Sequence, residues 1–87
     1  MNETRYVTQE LTLKDRKTLS LNTVKTINEF NDDFLELTTA LGDVCIEGEE
    51  LKIEEFIQDS GAITIRGNVN AIFYKKEKAS RKFKLSK

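Results

Sequence analysis

Residues 42–67 read GDVCIEGEELKIEEFIQDSGAITIRG, and they contain one short pattern twice. GDVCIEG at 42–48 and GAITIRG at 61–67 lie nineteen positions apart, with Gly42 matching Gly61, Val44 matching Ile63, Ile46 matching Ile65 and Gly48 matching Gly67. In each copy apolar and polar residues alternate, the period-2 signature of a strand with one dry and one wet face. Glycines at both ends mark places where the backbone turns or bends sharply. Gly42, Gly48, Gly61 and Gly67 therefore read as structural turn glycines. A phosphate-binding loop is not indicated, because no Lys-Ser/Thr follows the second glycine and the pattern lies within strands.

Working outward, Leu51 and Ile53 continue the first copy after Gly48-Glu49-Glu50, which suits a hairpin turn. Asp59-Ser60-Gly61 is the turn into the second copy. Gly67-Asn68 fits either a second hairpin turn or a bulge within one bent strand. Val44, Ile46, Leu51, Ile53, Ile63, Ile65, Val69 and Phe73 are expected to share one buried face. Leu19 and Leu21 look like a worn third copy, with Thr23 standing where the glycine would be. Asn31-Asp32-Asp33 marks a turn before a strand that points Leu35 and Leu37 inward. Residues 23–30, TVKTINEF, carry helix-like apolar spacing but are rich in β-branched residues, and strand is the preferred reading. Residues 5–13 suit an edge strand or an arm.

The sum is an all-β chain, an antiparallel meander of about seven or eight short strands forming a small sandwich or open barrel. Its organisation reads as an N-terminal arm or edge strand at 1–16, a β domain at 17–76 and a basic C-terminal tail at 77–87. Eighty-seven residues suffice for one small domain, no apolar run reaches a membrane-span length, and no signal-peptide core follows Met1. The single cysteine, Cys45, rules out an internal disulfide framework and agrees with a reducing, cytoplasmic setting.

Few residues offer chemistry. There is no histidine, so the side chain best suited to proton transfer near neutral pH is missing, as is the commonest neutral metal ligand. Cys45 then has no imidazole to generate its thiolate, and Asp43 and Glu47 on its strand face disfavour that anion. It reads as a surface-facing structural cysteine. The acidic pairs Asp32-Asp33, Glu49-Glu50 and Glu54-Glu55 read as solvated turns and edges, because adjacent strand residues point to opposite faces. Asn31-Asp32-Asp33 lacks the spaced ligands of a calcium loop. No catalytic, cofactor or metal site is expected.

Charge is the more informative global feature. The chain carries a net −1, but residues 1–74 hold fourteen acids and seven bases, whereas 75–87 hold seven bases and one acid. Lys75, Lys76, Lys78, Arg81, Lys82, Lys84 and Lys87 thus form a basic segment behind an acidic body, which reads either as a solvated, solubilising tail or as a contact for an anionic membrane surface or a partner. Nucleic acid, with Phe83 stacking on a base, is the alternative ligand for the same charge. With no proline to protect strand edges, pairing between copies is a further option.

Residues 17–76 also resemble the YabP family of sporulation proteins, which includes the YqfC proteins. The match runs through Leu19, Leu21, Val24, Lys25, Phe30, Leu35, Thr39, Gly42, Ile46, Gly48, Leu51, Gly61, Ile65, Gly67 and Tyr74. The resemblance implies a non-enzymatic protein of endospore formers, acting in the mother cell in spore-envelope (cortex or coat) assembly, peripheral at the forespore membrane. It also implies a membrane-protein partner of the YabQ type.

Overall fold

The computed structural model describes residues 8–75. Six strands follow in order: β1 (Leu11–Lys14), β2 (Thr18–Leu21), β3 (Val24–Phe30), β4 (Phe34–Thr39), β5 (Gly42–Ile57) and β6 (Ala62–Lys75). They form one antiparallel sheet in the order β1-β2-β6-β5-β4-β3. Among the described residues the sheet does not close into a barrel. Of residues 23–30, Val24–Phe30 is strand, as the β-branched content predicts.

Six strands form among the described residues, rather than about seven or eight, because the two glycine repeats are long continuous strands. Gly48-Glu49-Glu50 is not a hairpin turn. The pairing of β5 with β6 instead slips by one residue at Glu47/Gly48, again between Glu49 and Lys52, and again at Ile53/Glu55. Each slip is a bulge, which bends a strand without ending it. Gly67-Asn68 likewise lies within β6.

Close approach requires glycine at both bends. A Cβ on Gly48 would collide with the Asn68 carbonyl, and one on Gly67 would lie 2.6 Å from the Glu50 carbonyl oxygen. Gly67 also has φ near +141°, a conformation that L side chains rarely adopt.

The repeat extends to the partners of these strands. Leu35 and Leu37 of β4 face Ile46 and Val44 of β5. Leu19 and Leu21 of β2 face Ile65 and Ile63 of β6 in the same register. Leu19 and Leu21 are therefore no third copy of the glycine pattern; they correspond to Leu35 and Leu37. β1-β2-β6 and β3-β4-β5 are two similar halves, each a short hairpin docked on a long strand. In the first, the hairpin turn supplies the carbonyls of Lys17 and Arg16 to the amides of Gly67 (3.1 Å) and Val69 (2.9 Å). In the second, Asp33 and Asp32 do the same for Gly48 (3.1 Å) and Leu51 (2.8 Å). A bulge removes ladder partners from buried amides, and these turns restore them.

The creased sheet encloses one core. Leu19, Leu21, Val24, Leu35, Leu37, Val44, Ile46, Leu51, Ile63, Ile65 and Val69 are buried in a single cluster drawn from both halves. Ile53 is only partly buried against it, and Phe73 is 43% exposed. Register explains Phe73. On β6, Gly48 faces Val69 but Glu47 faces Ala71, so Asn70 is an extra residue that reverses the alternation. Ile72 and Tyr74 thereby take the core side, facing Ile46 and Val44, and Phe73 turns outward beside Cys45.

Candidate interaction surface at the end of β6

The first member of the basic segment is Lys75, the final residue of β6. Its ammonium lies 3.3 Å from the Glu36 carboxylate on β4. Lys75 is paired with Asp43, and Glu36 with Cys45, so this contact reaches across the whole width of β5. Lys76, Lys78, Arg81, Lys82, Lys84 and Lys87 lie outside the described residues.

Beneath the Lys75–Glu36 bridge is Cys45. Alternation sends its side chain away from Val44 and Ile46, as expected, yet it is 2% exposed rather than surface-facing. Glu36 and Phe73 flank it as cross-strand neighbours, and the ion pair spans the gap above. Burial, first, pushes its thiol above the ordinary value near 9.0; Glu36, Asp43 and Glu47 push the same way, and Lys75 opposes them. The thiolate is disfavoured, mainly through desolvation.

Around this point the outer face is a polar web. Thr38 donates its hydroxyl to Asp43 at 3.0 Å, and Asn28 donates its amide to Thr38 at 2.8 Å and to Glu36 at 3.4 Å. The acidic pairs do not converge. Asp32 and Asp33 lend backbone carbonyls to the β5 bulge, Glu50 sits in the bulge with φ near 54°, and Glu54 pairs with Arg66 at 3.1 Å. No group of three potential metal ligands forms among the described residues.

Sequence reasoning missed a second polar cluster, at the same end of β6. Gln9 donates its amide to the hydroxyls of Thr23 (2.8 Å) and Thr39 (3.0 Å) and accepts a hydrogen bond from the Tyr74 hydroxyl. Thr39 is buried, donates to the Gly42 carbonyl at 2.6 Å and receives the Leu41 amide at 3.1 Å. One side chain thus ties the segment before β1 to the β2–β3 link, the end of β4 and the end of β6. Thr39 and Tyr74 carried the family resemblance; Gln9 gave no signal, because a glutamine among polar neighbours looks like any surface residue. Thr23 adopts φ near 64°, the left-handed conformation that a glycine would take at no steric cost.

These features define a small all-β protein with a creased sheet, an acidic, hydrogen-bonded outer face and a strand that runs out into a basic segment. The chain belongs to the YabP family, whose model matches residues 6–81. It is 28% identical over 75 residues to the protein named "Spore protein YabP" of Bacillus subtilis (strain 168), an alignment covering 86% of this chain and 75% of that protein. Family membership supports a role in sporulation. No helix among the described residues is long and apolar enough to cross a membrane.

Proposed function

We propose that this chain is a non-enzymatic interaction module in mother-cell assembly of the spore envelope. The observation that carries the reading is an acidic sheet face bordered by the strand that the basic segment follows in sequence. β6 forms one border of an acidic face built from Glu36, Asp43 and Glu47, and continues from Lys75 into six further bases. The sheet docks on a membrane-protein partner of the YabQ type, and the basic segment adds attraction to the anionic leaflet, about 1 kcal/mol per base near such a surface. Because Lys75 pairs with Glu36, that attraction is assigned to Lys76, Lys78, Arg81, Lys82, Lys84 and Lys87.

Imaging a tagged copy in sporulating cells tests this. The comparison is the intact chain against one with Lys76, Lys78, Arg81, Lys82, Lys84 and Lys87 changed to glutamine, leaving the Lys75–Glu36 contact whole. Enrichment around the forespore that fades in the neutral variant supports membrane-assisted docking. Enrichment that persists assigns recognition to the sheet alone. A diffuse or nucleoid-like signal for the intact chain overturns the reading.

A further inference from the structure

The two halves of the fold provide an internal control for how its strand edges are protected. β2 pairs with β6 only over residues 63–66, so among the described residues the stretch Ala71–Lys75 has β5 on one side and an open edge on the other. The equivalent stretch in the other half is Lys52–Ile57 of β5. It too has one neighbour among the described residues, since β4 pairs with β5 only over 42–47.

Open edges invite pairing with other chains, and folded proteins blunt them with charges, bulges or short length. Lys52–Ile57 has charge and a bulge: Lys52, Glu54 and Glu55 lie along it, and Glu54 is the extra residue of a register slip. β3 is interrupted by two slips, and β1 is four residues long. Ala71–Tyr74 has neither device, for it carries no charged residue and pairs with Val44–Glu47 without a slip; the one charge, Lys75, stands at its end. Where the β5 edge has Lys52 and Glu55, the β6 edge has Ala71 and Phe73. Phe73 and Tyr74 are 43% and 49% exposed.

We propose that this edge is a dimerisation surface: two copies of the chain pair antiparallel along Ala71–Lys75, with Phe73 on the twofold axis. Such an interface is self-complementary, as a twofold requires. Phe73 meets its own copy on the outer face, a favourable cross-strand aromatic pair, while Ile72 lies opposite Tyr74 of the second copy on the other face. Lys75 comes opposite the small Ala71 of the second copy, beyond which, on the same face, stands that copy's Glu47. Lys75 already spans this separation within one chain, reaching Glu36 two strands away. The paired strands make one continuous sheet from two acidic bodies. The inference does not depend on the proposed role in envelope assembly.

Sedimentation equilibrium of the full chain from about 1 to about 500 μM, spanning common homodimer affinities, is the test. A mass rising from 10.0 kDa towards twice that value is expected. Phe73→Lys, on an exposed face, should keep the circular dichroism of the fold and weaken the dimer at least tenfold. Glu55→Lys on the equivalent β5 edge should leave association unchanged. Hydrogen exchange of the unmodified chain needs no variant: alternate amides in 71–75 should slow as concentration rises. A monomer throughout the range overturns the proposal, as does a dimer that Phe73→Lys leaves intact. Amides of 71–75 protected equally at every concentration also overturn it, because the edge would then be covered from within the chain.

Discussion

The Gly67 amide donates to the Lys17 carbonyl over 3.1 Å, binding the bend of the last strand to the first hairpin turn. The same distance separates Gly48 and Asp33 in the other half, so each crease is held by a turn from a different hairpin.

Filling either crease should therefore be costly. Alanine at Gly67 forces a positive-φ strain and a 2.6 Å approach to the Glu50 carbonyl, both against backbone that cannot swing away. We expect Gly67→Ala to cost on the order of 3 kcal/mol, with Gly48→Ala similar, measured by urea denaturation. A loss below about 1 kcal/mol would show that the bends relax freely.

Thr23 combines an unfavourable backbone with a useful hydroxyl. Its φ near 64° costs roughly 1 kcal/mol for a β-branched residue, and its bond to Gln9 returns a similar amount. Thr23→Gly should thus be nearly neutral in the native background. In a Gln9→Ala background, where that bond is already lost, the same change should stabilise by about 1 kcal/mol. A double-mutant cycle with no coupling would contradict this account.

The raised pKa of Cys45 has a definite sign in stability. The folded thiol holds its proton more tightly than the unfolded one, so the unfolded chain ionises first as pH climbs through about 9.0. Stability is unaffected below that pH and falls above it. Denaturation at pH 8 and pH 10 should show a drop in the native chain that is smaller in Cys45→Ala. At pH 8, thiol-modifying reagents should react with the folded chain at least tenfold more slowly than with the urea-unfolded chain.

Lys75 and Glu36 form a half-exposed pair, with side chains 50% and 16% exposed. Lys75→Gln should cost less than about 1 kcal/mol, because such pairs are screened by solvent. The thiol of Cys45 should become still harder to ionise, since Lys75 favours its anion. A shift of the thiol titration to lower pH in Lys75→Gln would be inconsistent with the observed geometry.

Much of this architecture was legible because period-2 alternation and paired glycines are local signals. Val44, Ile46, Ile63 and Ile65 announce their strands, and Leu35 and Leu37 their inward face. The bends were less legible. Gly48-Glu49-Glu50 has the composition of a hairpin turn and of a bulge alike, and only the pairing of β5 with β6 separates them. Phe73 was misplaced for the same reason, since one extra residue at Asn70 reverses every side chain after it. Cys45 reads as exposed from its own strand; its cover comes from residues 36 and 75, which local sequence does not bring together.

Strand order carries a consequence for how the chain reaches this state. β6, the last of the described strands in the chain, lies between β2, the second, and β5. β3, β4, β5 and β6 can zip up in succession through short turns, but Leu19 waits for Ile65, its partner across 46 intervening bonds of chain. Loop-closure entropy makes that step late. Truncating Leu37 should then slow folding, whereas truncating Leu19 should chiefly hasten unfolding. The hairpin that comes earlier in the chain, β1-β2, is the later of the two to find its place.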